Sequence, residues 1–191
     1  MSQNNNNYAA GFDTPLGRMI LLAEDTSTEN KKASSIQLIG LGFAGIKMND
    51  EAVIADLSRQ LDCQNVLSNP EKLRPLATQI LNQPHKVPVS LRGTDFQKKV
   101  WRRLMEIPTG TTTTYGKISD NLQSAPRAVG TAVGKNPISL LVPCHRIIGS
   151  TGQLHGYRWG LDIKKSLLAA EGAPVSVCLL YTSDAADEVD G

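Results

Sequence analysis

A cysteine lies between a proline and a histidine in a mainly apolar stretch of this chain. Residues 136–148 read NPISLLVPCHRII, with the thiol at Cys144. Pro143 fixes its own φ and biases Val142 toward extended backbone, so we expect a strand-like approach to the thiol. A free cysteine is most often a small buried hydrophobe. The sequence therefore leaves two interpretations of Cys144, a core residue or a nucleophile.

The residues that follow the thiol could activate it. His145 and Arg146 put a proton acceptor and a cation next to Cys144. Because an unperturbed thiol has a pKa of about 8.5, positive neighbours favour the thiolate, which is the attacking species. Adjacent side chains of an extended chain point to opposite sides, so Cys144 and His145 need a local turn or a bridging water to communicate. The sequence leaves both routes open.

A carboxylate near the end of the last predicted helix could complete such a site. The pattern predicts a helix over residues 162–171, with Ile163 and Leu167 on its apolar face and Glu171 four residues further along that face. A carboxylate on a buried face needs a partner, and His145 would be a suitable one. The alternative is a solvated side chain at the end of the helix.

The segment that precedes the thiol region predicts a helix with a defined start. Thr94 and Gln97 have the spacing of a capping box, so we expect the helix to begin at Asp95 and to end before Pro108. The basic residues of this helix lie largely off its apolar stripe. We interpret them as a solvated face rather than as phosphate contacts.

Residues 113–135 predict a helix-turn-helix. Pro126 is suited to be the first residue of the second helix. Arg127, Thr131 and Lys135 recur every four residues on one face of that helix. The positions between them carry small residues, which are Ala128, Gly130, Ala132 and Gly134. Because glycine inside a helix costs about 1 kcal/mol relative to alanine, the pattern indicates a helix that approaches a duplex closely.

Charge is distributed unevenly along the chain. Residues 92–174 hold 12 Lys and Arg against 5 Asp and Glu, whereas residues 1–91 hold 8 against 9. The basic part of the chain contains the thiol and the predicted helix-turn-helix. This distribution favours a polyanionic partner such as double-stranded DNA.

The N-terminal half predicts a small α+β domain over residues 11–88, preceded by a polar, disordered segment at 1–10. The expected elements are a turn and strand at 14–22, a strand at 35–43, and helices at 50–61 and 70–81. Asn69 is expected to cap the second helix. Prolines around residues 82–88 mark the domain boundary.

Cysteine usage and apolar runs exclude several classes of protein. Cys63, Cys144 and Cys178 are odd in number and widely spaced, so neither a disulfide framework nor a metal site is predicted, and no cofactor is expected. No apolar run approaches the roughly 20 residues of a membrane span, and the N-terminus lacks a signal-peptide pattern. We therefore expect a cytoplasmic protein, or a nuclear one in a eukaryote, in which a reactive thiol stays reduced.

The ordered set of Asn136-Pro137, Pro143–Arg146 and Gly156–Gly160 resembles the active-site segment of the O6-alkylguanine-DNA alkyltransferases, or methylated-DNA–protein-cysteine methyltransferases. The resemblance spans residues 91–172 and reaches back weakly to Gly11. It implies an α+β protein with a small N-terminal α/β domain, followed at 89–174 by a mostly helical, winged helix-turn-helix-like domain. Some members bind zinc in the N-terminal domain; here the only candidate ligands are Cys63 and His85, so no metal is expected.

The resemblance also implies a function and roles for the site residues. It implies a monomer that flips O6-alkylguanine, and also O4-alkylthymine, out of duplex DNA and moves the alkyl group irreversibly to Cys144. Glu171 would orient His145, which would take the proton of Cys144 through a water. Asn136 would hold the active-site turn. Tyr115 would assist the rotation of the nucleotide and donate a proton to the departing guanine.

The same resemblance implies a DNA-binding surface and a base pocket. The second helix of the helix-turn-helix would enter the minor groove, with Arg127 in the place of the extruded nucleotide. The other implied DNA-binding residues are Tyr115, Gln97, Thr131, Lys135 and Ala128. The implied pocket residues are Val142, Pro143, Tyr157, Arg158 and Trp159, although Trp159 is equally suited to the core. The segment between Tyr115 and Arg127 is shorter than in many members, which affects the geometry of the turn.

Two other function classes stay open at this point. A non-catalytic lesion-binding protein of the alkyltransferase-like type lacks the cysteine, so Cys144 argues against that class. A cysteine hydrolase could use a Cys-His-Glu set, but it does not explain the basic, glycine-rich helix-turn-helix.

The last segment, residues 175–191, differs in character from the rest. It is apolar and then acidic, and it resembles translated sequencing-adapter read-through. We expect it to be a non-native tail and give Cys178 no role.

Overall fold

The computed structural model describes residues 6–27 and 36–174, so the predicted tail lies outside the described residues. The N-terminal elements are β1 (Asn6–Thr14), β2 (Gly17–Asp25), β3 (Ile36–Ala44), α1 (Asp50–Leu61), β4 (Val66–Ser68) and α2 (Pro70–Asn82). The C-terminal elements are α3 (Asp95–Met105), β5 (Thr113–Thr114), α4 (Tyr115–Asn121), α5 (Pro126–Gly134), β6 (Ile147–Ile148) and α6 (Leu161–Ala170). Single 3-10 turns cover Pro84–Lys86 and Cys144–Arg146.

The N-terminal domain is a four-stranded sheet in the order β3-β2-β1-β4, with α1 and α2 packed against it. Strand β2 pairs antiparallel with both β1 and β3, and β4 pairs parallel with β1. The predicted disorder of residues 1–10 is wrong for residues 6–10, which belong to β1. Tyr8, Ala9 and Ala10 are buried and pair with β2, because a ready cross-strand partner outweighs the polar composition of the segment before them.

Both helices of this domain begin where the sequence predicts, at residues 50 and 70. Asn49 caps α1 by accepting a hydrogen bond from the Ala52 amide, and Asn69 caps α2 by accepting one from the Lys72 amide. His85, after α2, is exposed, as expected for a residue between two prolines.

Helix α3 also begins as predicted, with both hydrogen bonds of the capping box in place. The Thr94 hydroxyl accepts from the Gln97 amide, and the Gln97 side-chain oxygen accepts from the Thr94 amide. One core residue of α3 was not predicted. Trp101 is fully buried, and its indole nitrogen donates to the Ala132 carbonyl at 2.9 Å, which ties α3 to α5.

The two domains are joined along the edge of the sheet. The amide of Leu41, on the edge strand β3, donates to the Pro137 carbonyl at 2.8 Å, and the Ser139 amide donates back to the Leu41 carbonyl at 2.9 Å. Beside this pair, the Trp159 ring packs on Gly42. The segment that leads to the thiol is therefore hydrogen-bonded to the N-terminal sheet.

None of the helices in the described ranges, 6–27 and 36–174, has the length and apolar character that a membrane crossing requires.

The contact between Gly42 and Trp159 makes a prediction about stability. A Cβ at Gly42 would lie 2.7 Å from the Trp159 ring, whereas a Cβ at Gly45 would meet nothing within 4 Å. We expect Gly42→Ala to lower the free energy of unfolding by about 1–3 kcal/mol through overpacking, as measured by urea denaturation. Gly45→Ala is the matched control and should change it by less than about 0.5 kcal/mol. Equal effects of the two substitutions would contradict the packing described.

Candidate active site

The thiol of Cys144 is held in a tight turn by one side chain. Asn136 is 2% exposed, and its side-chain oxygen accepts from the Ile138 amide at 3.0 Å. Its amide nitrogen donates to the Val142 carbonyl at 2.8 Å and to the Cys144 sulfur at 3.2 Å. Asn136 therefore closes the turn and contacts the thiol with the same group.

The approach to the thiol is a turn and not the strand that the sequence predicts. Leu140 has a φ of 69°, in the left-handed region that costs a non-glycine residue about 1 kcal/mol. After Pro143 the chain enters the 3-10 turn at Cys144–Arg146. Cys144 and His145 share this local turn, but within the described residues no hydrogen bond joins the Cys144 sulfur to the Nδ1 atom of His145, so the turn alone does not connect the two side chains. The hydrogen bonds of Asn136 stabilise this conformation in place of strand pairing.

Behind the thiol, a carboxylate binds the two residues that follow Cys144. The Glu171 Oε1 atom lies 2.8 Å from His145 Nε2, and Arg146 donates to both carboxylate oxygens, at 2.7 and 2.8 Å. His145 is fully buried, and the Glu171 side chain is 12% exposed. The structure thus contains the expected His145–Glu171 pair rather than a solvated helix end.

The carboxylate of Glu171 is ionised across the neutral pH range. Burial by itself would raise the pKa of Glu171, but the hydrogen bonds from His145 and Arg146 together outweigh burial and lower the pKa to about 2. An ionised carboxylate accepts a hydrogen, so the Nε2 atom of His145 carries the proton. The other ring nitrogen, Nδ1, is then the basic one; it is buried and makes no hydrogen bond within the described part of the chain.

Arg146 does not activate the thiol directly, which corrects the sequence-based expectation. Its guanidinium is bound by Glu171, by the Ile107 carbonyl and by the Thr109 hydroxyl. The charge of Arg146 is therefore neutralised by a carboxylate on the far side of His145. No sequence signal distinguished this arrangement from a cation beside Cys144.

The pKa of Cys144 is raised and not lowered as the sequence predicted. Burial of the thiol is the largest cause, and it outweighs the opposing effects of Asn136, of the Tyr157 and Ser139 hydroxyls and of the Lys164 charge. The resting group is thus a neutral thiol. A base must remove its proton before the sulfur can act as a nucleophile.

Lys164 is a buried cation that sequence reasoning missed. It is 1% exposed, and its ammonium donates to the carbonyls of Ile147 at 2.6 Å and His155 at 3.3 Å. Burial lowers the pKa of Lys164 to about 8, although the nearby Cys144 works to raise it. Its position three residues before the buried Leu167, on the same helical face, was the available signal.

A cavity of about 120 Å³ opens onto the thiol. The side chains around it include Tyr115, Asn136, Tyr157 and Arg158, with Gly130 and Gly134 of α5 on one side. Burial and the nearby thiol both raise the pKa of Tyr115, so its hydroxyl stays protonated and can donate a hydrogen. The pocket therefore combines a sulfur nucleophile with a hydroxyl donor and an aromatic wall.

Three of the residues predicted for the pocket do not line it. Val142 is fully buried within the turn, and Pro143 lines a different cavity on the other side of the thiol segment. Trp159 is 4% exposed and donates to the Ser139 hydroxyl at 2.6 Å. The core interpretation of Trp159 is the correct one, because Gly42 on β3 leaves room for the ring.

The helix-turn-helix presents an exposed face beside the pocket. Arg127, Ala128 and Thr131 are exposed on α5, and Lys135 is exposed at its C-terminal end. Ala132 was predicted to let α5 approach a duplex closely, but it is not on the exposed face. It is 2% exposed, and its carbonyl accepts a hydrogen bond from Trp101.

Gly130 lies where α5 passes the pocket. A Cβ at this position would lie 3.9 Å from the Tyr115 ring, an ordinary van der Waals contact, so α5 passes Tyr115 closely here. Gln97, the remaining residue expected to bind DNA, is half-buried in the capping box of α3.

Comparison with known proteins places this arrangement in a family. Residues 95–173 match the family model described as the DNA-binding domain of 6-O-methylguanine DNA methyltransferase. A methylated-DNA–protein-cysteine methyltransferase of Methanosarcina acetivorans is 54% identical over 176 residues, which are 87% of this chain and 99% of that protein. The chain belongs to the methylated-DNA–protein-cysteine methyltransferase family.

Solved structures of the family share both domains with this chain. The crystal structure of the Mycobacterium tuberculosis O6-methylguanine methyltransferase is 32% identical, with a TM-score of 0.66 over 92% of this chain and 99% of that chain. The M. tuberculosis protein OGT in complex with DNA is 30% identical, with a TM-score of 0.62 over 87% of this chain and 95% of that chain. The matched region therefore includes the N-terminal sheet as well as the thiol domain.

The ionisation of Glu171 makes a prediction about stability and pH. Because the pKa of Glu171 is about 2 in the folded protein against an ordinary value of 4.5, the ionised carboxylate stabilises the fold above pH 4.5. This stabilisation, of about 2 to 3 kcal/mol, is lost as the pH falls to about 2. We expect Glu171→Gln to lower the free energy of unfolding at pH 7, and we expect this difference from wild type to narrow as the pH falls from about 4.5 to about 2.

The control for this prediction is Glu71→Gln, which changes an exposed helix carboxylate. Urea denaturation at several pH values should give nearly parallel curves for wild type and Glu71→Gln. A gap between wild type and Glu171→Gln that does not change with pH would contradict the lowered pKa.

Proposed function

We propose that this protein repairs DNA by moving the alkyl group of O6-alkylguanine, in a duplex, to the sulfur of Cys144. The observation that carries the proposal is the buried pocket in which Cys144 and Tyr115 meet beside the His145–Glu171 pair, next to the exposed face of α5. The homologue of M. acetivorans carries the name of this activity, and the M. tuberculosis relative has been crystallised with DNA. The O4-alkylthymine lesion is included in the proposal as a second substrate.

His145 is the base in this mechanism. Its Nε2–H is donated to Glu171, which leaves the Nδ1 lone pair to accept a proton from Cys144 through a water. The imidazolium that forms is stabilised by the ionised Glu171. Asn136 donates to the sulfur and therefore stabilises the thiolate as it forms.

Alkyl transfer is then a displacement at carbon. The thiolate electron pair forms a carbon–sulfur bond, and the bond between the alkyl carbon and O6 of guanine breaks. The electron pair of that bond stays with the base, which accepts a proton from the Tyr115 hydroxyl and leaves as guanine. His145 returns its proton to Tyr115 through solvent, so charge and protons balance.

The nucleotide must leave the stack to reach the thiol. Cys144 is 7% exposed, and it lies in a pocket beside α5 rather than on the surface. We propose that α5 enters the minor groove, that Arg127 occupies the place of the extruded nucleotide, and that the base lies against Tyr157 in the pocket. Ala128, Thr131, Lys135 and Gln97 are proposed as further DNA contacts.

The cellular setting follows from the chemistry. A mechanism that begins with a free thiol requires a reducing compartment, which supports a cytoplasmic location, or a nuclear one in a eukaryote. We propose that the protein acts as a monomer, because one chain supplies the thiol, the base, its carboxylate and the DNA-binding helix.

The acceptor role of Cys144 predicts the stoichiometry. A thioether offers no carbonyl for water to attack, so the thiol is not regenerated and each molecule accepts one alkyl group. Mass spectrometry after incubation with O6-methylguanine duplex should find one added methyl group on the peptide that contains Cys144. Cys144→Ser should lose all transfer and keep its affinity for DNA. Repeated turnover by limiting protein would contradict alkyl transfer and favour a hydrolase.

The proposed place of Arg127 predicts a difference between substrates. Arg127→Ala should slow repair of duplex DNA by about 100-fold, because an arginine that fills the base stack supplies several kcal/mol in its complex with DNA. Reaction with free O6-benzylguanine, which has no stack, should slow much less. Arg74→Ala, an exposed arginine of α2, is the control. Equal losses on both substrates would instead make Arg127 a residue of the fold.

A further inference from the structure

A polar cleft of about 630 Å³ lies beside the thiol pocket, between the two domains. Its walls are the C-terminal half of α1, the start of α3, the end of α5 and the segment around Arg158. Gly134 and Arg158 line both this cleft and the thiol pocket, so the two are contiguous.

The lining of this cleft is basic. Arg59, Arg92, Lys135 and Arg158 are its cationic side chains, and Asp56 is its acidic one. Asp56 is shared, since Arg158 donates to it from two nitrogens while Arg59 lies 3.6 Å from it. One carboxylate cannot neutralise both arginines.

Two of these cations keep most of their charge available. The Arg59 side chain is 77% exposed, and its contact with Asp56 is long. Lys135 is exposed and forms no ion pair with any residue in the described ranges. By contrast, Arg92 is bound by Glu24 and Arg158 by Asp56, so these two arginines shape the walls.

The side-chain oxygens of Gln60 and Gln97, the two neutral polar side chains of the cleft, already accept hydrogen bonds within the protein. The Gln97 oxygen is used in the capping box, so its amide NH₂ is the group left to donate. Gln60 accepts from Arg158 and donates to the Lys135 carbonyl, which fixes the end of α5 against α1. A cleft with cations and amide donors is suited to phosphate oxygens.

We propose that this cleft binds the phosphodiester backbone next to the flipped nucleotide, with Arg59 of the N-terminal domain as a phosphate contact. The inference rests on the proposed function. Gly134 and Arg158 line both the thiol pocket and the cleft, so a strand whose nucleotide enters the pocket can continue directly into the cleft. The N-terminal domain thus takes part in DNA binding as well as in the fold.

The test uses Arg59→Ala in the full chain, with Arg74→Ala as the matched control. Both are exposed helical arginines with an acidic residue three positions earlier. We expect Arg59→Ala to weaken duplex binding about fivefold at low salt. The slope of log K against log salt concentration should fall by about 0.9, the value for one phosphate contact. Arg59→Lys should restore most of the duplex affinity and of the salt slope. Arg74→Ala should change neither the affinity nor the slope.

A second measurement identifies the phosphate. Replacing single phosphates beside the lesion with neutral methylphosphonates should, at one position, abolish the difference between wild type and Arg59→Ala. Equal affinity and slope for Arg59→Ala and Arg74→Ala would overturn the proposal, as would a difference that persists with every methylphosphonate. The reaction of wild-type protein with free O6-benzylguanine tests the chemistry separately, because that substrate has no phosphate; its failure would overturn alkyl transfer and not the cleft.

Discussion

A buried thiol can be held in a tight turn only if the polar backbone groups of that turn find partners, and the Asn136 side chain provides them. It satisfies the Ile138 amide and the Val142 carbonyl, and it donates to the Cys144 sulfur. The left-handed Leu140 is tolerated because these bonds, made away from water, stabilise the turn by more than its backbone strain costs. The direction in which Cys144 faces the pocket depends on this one amide.

Burial dominates the electrostatics of the site. It raises the pKa of Cys144 and lowers that of Lys164, since both charged forms are disfavoured away from water. Glu171 escapes this effect because His145 and Arg146 bind it from two sides. The negative charge of the site is therefore on the Glu171 carboxylate, which contacts His145 and not the thiol. In the proposed chemistry this charge becomes useful only when His145 takes up a proton.

The N-terminal domain supports the thiol segment through the edge of its sheet. An edge strand presents unpaired amides and carbonyls, and β3 uses those of Leu41 to bind residues 137 and 139. Gly42, next to it, admits the Trp159 ring. Domains in one chain often share small polar interfaces, but here backbone hydrogen bonds and a buried indole also hold the two domains together. The position of the thiol relative to β3 is thus part of the fold.

Local interactions made much of this structure predictable from the sequence. The capping box of α3, the cap of α2 at Asn69 and the start of α5 at Pro126 involve residues within three positions of one another, so spacing alone predicts them. The order of motifs around Cys144 indicated the family. What the sequence could not decide depends on partners far along the chain. Arginine and lysine are residue types that usually lie on the surface. Only the packing of the fold brings Arg146 to the Glu171 carboxylate, 25 residues away, and buries Lys164. The raised pKa of the thiol has the same origin, because burial is a property of the assembled fold and not of neighbouring residues in the sequence.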